Sequence, residues 1–122
     1  MATDEDLDRL ATELPGVTVG RYWDDERAYL LPGRGGKGLA QRRSPRRQEG
    51  TVDPATDEPY TDLVVIHTAT EQARAEALVS WTDSVFTIPH FARHAALLVH
   101  LDRITADDLE ALMQLAWESK QR

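Results

Sequence analysis

Hydrophobic residues recur at intervals of three and four in three parts of the chain, which predicts three amphipathic helices. The first helix is expected to begin at the N-cap Thr3, and its first turn is acidic, as a helix start prefers. The second can be capped by Thr68 or Thr70, with Glu71 placed for a reciprocal capping box with Thr68. The third is expected to begin after Thr105. The three apolar stripes are formed by Leu7, Leu10, Ala11 and Leu14, by Ala73, Ala77, Leu78 and Trp81, and by Leu109, Leu112, Met113 and Ala116.

Runs of β-branched and aromatic residues predict the strands. Residues 17–23 and 27–31 can form two strands around a polar turn, and residues 37–43 can add a third. The runs DLVVIHT at 62–68 and AALLVHL at 95–101 have the continuous apolar character of buried strands, so we expect them at the centre of the sheet. Tight connections among the early strands favour antiparallel pairing. The sequence therefore predicts an α+β fold of two layers, an antiparallel sheet with helices packed on one face.

Length and composition narrow the class of protein. A chain of 122 residues, 41% of them hydrophobic, fits a single domain spanning residues 1–122. The absence of cysteine excludes disulfide scaffolds and thiolate sites, and it suits a reducing compartment. The longest apolar run, AALLV at 95–99, is far shorter than the roughly 18 residues of a spanning helix. The first residues, MATDED, lack the pattern of a secretory signal, so we expect a cytoplasmic protein with no membrane partner.

Charge is distributed unevenly along the chain. The formal net charge is −7, yet residues 33–50 carry six basic side chains and one acidic side chain. Proline and glycine are frequent between residues 33 and 59, which predicts a loop-rich, exposed region around this basic segment. We call residues 34–47 the basic segment. Its basic residues are Arg34, Lys37, Arg42, Arg43, Arg46 and Arg47.

The basic segment is the strongest candidate functional site in the sequence. Arginine presents a fixed fork of donors that suits phosphate, and each neutralised phosphate releases condensed counterions. We therefore expect the six basic residues to contact the phosphate backbone of DNA. Two alternatives remain open: the arginines can pair with the acidic remainder of the same molecule, or the segment can dock on an acidic protein partner or on a second copy of the chain.

The sequence gives little support for a nucleotide-binding, metal or catalytic site. The cluster GRGGKG lacks the spacing of a phosphate-binding P-loop, because Lys37 is followed by glycine rather than by serine or threonine. His90 and His94 have the spacing of a helical metal site, but Pro89 and the approaching strand favour a loop there. No serine lies in a nucleophile elbow. We therefore expect no catalytic residue, no cofactor and no metal; a small-ligand binder or an enzyme would need a pocket that the sequence does not display.

Five short motifs in the C-terminal third of the chain form a recognisable pattern. They are Phe86, Pro89-His90-Phe91, Leu101-Asp102, Asp107-Asp108-Leu109 and Ala116-Trp117. This pattern resembles that of the bacterial MmcQ/YjbR family. Earlier segments, LPGVTVGRYW and GGKGLAQRRSPRR, are similar to the end of the family's first helix and to a basic, proline-containing stretch, so the resemblance covers nearly the whole chain. It implies a compact fold similar to secretion-chaperone-like domains and, by analogy of fold, a DNA-binding protein with a double-wing sheet. Residues 92–94 and the short end from Ser119 depart from the family pattern.

Overall fold

The computed structural model describes residues 2–21, 27–30, 38–42, 55, 62–87 and 95–120. The described residues form three helices and six strands. In chain order these are α1 (Asp4–Thr12), β1 (Thr18–Arg21), β2 (Arg27–Leu30), β3 (Gly38–Arg42), β4 (Leu63–His67), α2 (Glu71–Ser80), β5 (Val85–Phe86), β6 (Ala96–His100) and α3 (Ala106–Ser119). None of the helices within these ranges is long and apolar enough to cross a membrane.

The six strands form one open antiparallel sheet in the order β1-β2-β3-β4-β6-β5. Strands β4 and β6 each pair on both sides, which confirms their expected central position. Strand β5 was not predicted, because two residues are too few to show an alternating pattern. The predicted α+β class and the antiparallel sheet are confirmed.

All three helices pack on one face of the sheet. Buried residues of α1, α2 and α3 share a core with Leu39, Val64, Ile66, Leu97 and Val99 of the strands. The helix α3 lies against α1, α2 and β4. The helical layer therefore covers the face on which these strand residues lie, as the sequence predicts.

The opposite face of the central strands is also buried. There Leu63, Val65, Ala96 and Leu98 form a second cluster, with Phe86 packed against it. Because side chains alternate between the two faces of a strand, burial of both faces explains why β4 and β6 are continuous apolar runs.

Threonine caps begin all three helices. Thr3, Thr70 and Thr105 each accept a hydrogen bond from the backbone N–H three residues later. The predicted capping box of Thr68 with Glu71 is wrong. The hydroxyl of Thr68 is buried and shared between the carbonyl oxygens of Thr70 and Ala95, at 3.0 and 2.8 Å, so it ties the end of β4 to the start of β6 and leaves Thr70 as the cap.

The start of α1 is fixed by a reciprocal capping box. The backbone N–H of Thr3 donates to Oδ2 of Asp6 at 3.0 Å, and the backbone N–H of Asp6 donates to Oγ1 of Thr3 at 3.2 Å. The Thr3 backbone donor, followed by the Thr3 side chain and the nearby Arg9, holds the pKa of Asp6 below its ordinary value of 3.8. The ionised carboxylate therefore stabilises the folded state above that ordinary value, and this contribution is lost as the pH falls through the lowered pKa.

We expect Asp6→Ala to lower Tm slightly at about pH 7 and to change Tm less in acid, as the pH falls through the lowered pKa of Asp6 and its carboxylate is protonated. Thermal melts followed by circular dichroism under the two conditions measure the difference. Glu5→Ala is the matched control, because Glu5 lies in the same first turn but outside the capping box. An equal effect of Asp6→Ala under both conditions would contradict the role of the ionised carboxylate.

Candidate functional site

Arg42 is the member of the predicted DNA-binding set that the structure describes. It is the last residue of β3, an inner strand that pairs with β2 and β4, and its backbone lies opposite Val64. The other predicted residues lie outside the described part of the chain. They are Arg34, Lys37, Arg43, Arg46 and Arg47.

The guanidinium of Arg42 contacts two other elements. Its Nε lies 2.9 Å from Oδ1 of Asp4 in the first turn of α1, and its NH1 donates to the carbonyl oxygen of Leu63 at 3.2 Å. The side chain of Arg42 is 27% exposed, and that of Asp4 is 66% exposed. The partly exposed side chain of Arg42 therefore links its own strand, β3, to α1 and to β4.

The ion pair lies in an open groove of about 390 Å³ between the start of α1 and the sheet. Its lining consists of Asp4, Glu5, Asp8, Tyr29 and Arg42. The Tyr29 hydroxyl donates to Oδ1 of Asp8 at 3.2 Å, while the rest of Tyr29 is buried in the core. Three carboxylates and one guanidinium line the groove, so the described surface around Arg42 is acidic.

A second polar cluster lies where β4 begins and β6 ends. Nδ1 of His100 is 3.3 Å from both carboxylate oxygens of Asp62, and Oδ2 of Asp62 accepts from the backbone N–H of Asp102 at 3.3 Å. The ring of Phe86 stacks on His100 with centroids 4.9 Å apart. The side chain of His100 is only 6% exposed. The cluster thus fastens the start of β4 to the end of β6, and His100 is a buried strand histidine that contacts a carboxylate.

The tryptophans and histidines bear on the remaining candidate sites. Trp81 and Trp117 pack against the helix-side core, as predicted, and Nε1 of Trp117 donates to the carbonyl oxygen of Pro15 at 2.9 Å. Trp23 lies outside the described residues, as do His90 and His94, which have the spacing of a helical metal site. Among the residues that the structure describes, no group of three histidine, aspartate or glutamate side chains is arranged to hold a metal ion.

Sequence reasoning missed the two pairings that organise these clusters. Asp4 was assigned only to the acidic first turn of a helix, and nothing in the sequence connects it with Arg42, 38 positions later. The Asp62–His100 pair has the same separation in sequence. Both pairings depend on strand neighbours that are distant along the chain. An alternating pattern predicts a strand but does not identify its partner.

Together these observations define the class of protein: an α+β domain with one open sheet, in which Arg42 at the end of β3 pairs with an acidic helix start. The chain is similar to Uncharacterized protein Rv2570 of Mycobacterium tuberculosis and to Uncharacterized protein Mb2600 of Mycobacterium bovis. Each is 31% identical over 119 residues, which cover 96% of this chain and 87% of the relative. The chain belongs to the family of these mycobacterial proteins.

Those relatives carry names that state no activity, ligand or partner. No family model matches the chain. No solved structure matches it either. The resemblance to the MmcQ/YjbR family therefore stays a prediction.

Proposed function

We propose that this protein is a non-enzymatic DNA-binding domain whose basic segment contacts the phosphate backbone of duplex DNA. The observation that carries the proposal is the concentration of six basic residues and no acidic residue within residues 34–47 of a chain with net charge −7. Such a segregation of charge is the electrostatic footprint of nucleic-acid binding. Phosphate contacts carry no sequence information, so binding should depend only weakly on DNA sequence.

The fold supports this proposal by fixing the middle of the basic segment. Strand β3 occupies residues 38–42 and is paired on both sides, so its backbone is held in register by β2 and β4. Arg42 is further held by Asp4 and by the Leu63 carbonyl. We therefore assign Arg42 the role of a positioning residue at the end of β3 in the free protein, and the first phosphate contacts to the other five basic residues.

Salt dependence of duplex binding tests the proposal. Four or five phosphate contacts should give a slope of about −3.5 to −4.5 for the logarithm of the association constant against the logarithm of salt concentration. Fluorescence anisotropy with several unrelated labelled duplexes measures both the slope and the dependence on sequence. If the parent protein binds no duplex at about 50 mM salt, where phosphate contacts are strong, the proposal is overturned.

Two double variants distinguish phosphate contacts made by the basic segment from a general effect of net charge on the salt slope. Arg46→Ala with Arg47→Ala should flatten the slope by about two units, since each lost phosphate contact removes about 0.9. Arg9→Ala with Arg103→Ala removes the same charge from exposed positions outside the basic segment and should leave the slope unchanged. Equal slopes for the two double variants would show that the segment makes no specific set of phosphate contacts.

A second candidate function is a protein-interaction module, and the Asp4–Arg42 ion pair favours it. In that contact an arginine of the basic segment already binds a carboxylate. The same chemistry could join the segment to an acidic partner or to a second copy of this acidic chain. Sedimentation velocity over a range of salt concentrations tests the second-copy form. Self-association that weakens with salt and is lost in the Arg46, Arg47 double variant would favour it over DNA binding.

A further inference from the structure

The contact between Asp4 and Arg42 places a carboxylate where a phosphate would otherwise bind. Oδ1 of Asp4 lies 2.9 Å from Nε of Arg42, a charge-assisted hydrogen-bond distance. Carboxylates and phosphates use the same donors of a guanidinium, so one anion at Nε excludes the other. The acidic start of α1 therefore occupies the arginine that ends β3, in the middle of the basic segment.

We propose that Asp4 is an intramolecular competitor that lowers the affinity of this protein for phosphate backbones by occupying Arg42. The inference rests on the proposed DNA-binding function and adds a regulatory contact to the same site. When a phosphate approaches, Arg42 exchanges the Asp4 carboxylate for it and becomes one more phosphate contact. The bound form thus uses Arg42 as a ligand residue, whereas the free form uses it only to position the strand end.

The local structure allows this exchange without unfolding. Asp4 is 66% exposed and can return to water. The start of α1 is held independently by the Thr3–Asp6 capping box and by the hydrogen bond from the backbone N–H of Ala2 to the carbonyl of Ile104. A released Asp4 would still lie in the first turn of α1, where the helix dipole favours negative charge. The bond from NH1 of Arg42 to the Leu63 carbonyl can remain in both states.

The expected change in affinity follows from the solvent exposure of the Asp4–Arg42 ion pair. Ion pairs between exposed side chains are weak, so losing this one should change affinity by at most about fivefold. Arg42 contacts phosphate in the bound form whether or not Asp4 competes for it, so the salt slope should stay the same while the affinity changes.

The test compares Asp4→Asn with Glu5→Gln by duplex binding at several salt concentrations. Both changes remove one negative charge from the same groove, but the observed ion pair with Arg42 belongs to Asp4. We expect Asp4→Asn to bind about two- to fivefold more tightly than Glu5→Gln with the same salt slope. Adding Arg42→Ala to each variant should abolish the difference in affinity and flatten both slopes by about 0.9. Equal affinities for Asp4→Asn and Glu5→Gln would overturn the proposal.

A second readout separates failure of this inference from failure of the proposed function. The Nε–H resonance of Arg42 is followed by NMR while the parent protein and Asp4→Asn are titrated with inorganic pyrophosphate. A response at lower pyrophosphate concentration in Asp4→Asn supports the competition even if no duplex binds, and DNA binding alone is then overturned. If duplex binds but pyrophosphate shifts the resonance equally in both proteins, the competition is overturned and DNA binding stands. No response in either protein overturns the competition as well.

Discussion

Leu112→Ala is expected to lower the free energy of unfolding by about 2–5 kcal/mol, the usual range for deleting a fully buried leucine side chain. Leu112 lies on the inner face of α3 and is 0% exposed. That helix contacts α1, α2 and β4, so a cavity at Leu112 would lie where the helical layer meets the sheet. The surrounding elements are fixed by their own packing and can fill such a cavity only in part.

Urea unfolding followed by tryptophan fluorescence and by circular dichroism measures this loss. Leu115→Ala is the control on the same helix, because Leu115 is only partly buried and should lose much less. A near-neutral midpoint for Leu112→Ala would contradict the position of α3 on the sheet. Coincident transitions from the two probes would justify two-state treatment of the data.

Asp62→Ala is expected to lower the free energy of unfolding by about 2–4 kcal/mol, because it removes a carboxylate that lies against the buried His100 ring. Asp62 accepts from the exposed backbone N–H of Asp102 and lies against Nδ1 of His100, whose side chain is 6% exposed. Water can bond to the exposed N–H of Asp102 but cannot readily replace the carboxylate beside His100. The substitution would weaken the contact between β4 and β6, which pair at the centre of the sheet.

Two further variants serve as comparisons for Asp62→Ala. Asp102→Asn removes the same charge but keeps the backbone N–H that contacts Asp62, and its exposed side chain should make it nearly neutral. Asp62→Asn retains an acceptor oxygen and should lie between the two. If Asp62→Ala and Asp102→Asn have equal stabilities in urea unfolding, the buried pair does not stabilise the central strands.

Local patterns in the sequence were sufficient to predict the helices and the class of fold. The N-caps Thr3 and Thr105 and the stripe of α3 were predicted, because caps and amphipathic stripes are formed by residues within one or two turns of each other. The choice between Thr68 and Thr70 was not settled in this way. It depended on Ala95, a residue of another segment, which accepts from the buried Thr68 hydroxyl.

The candidate site, too, depends partly on local sequence and partly on contacts between distant residues. The sequence alone determined that positive charge is concentrated in residues 34–47, and that an acidic turn begins the first helix. Only the tertiary structure decided that these two features meet at the Asp4–Arg42 contact, and that Asp62 and His100 pair where β4 begins and β6 ends. Composition and periodicity are properties of neighbouring residues, whereas the partner of a side chain 38 positions away depends on strand order and register, which the packed sheet fixes as a whole.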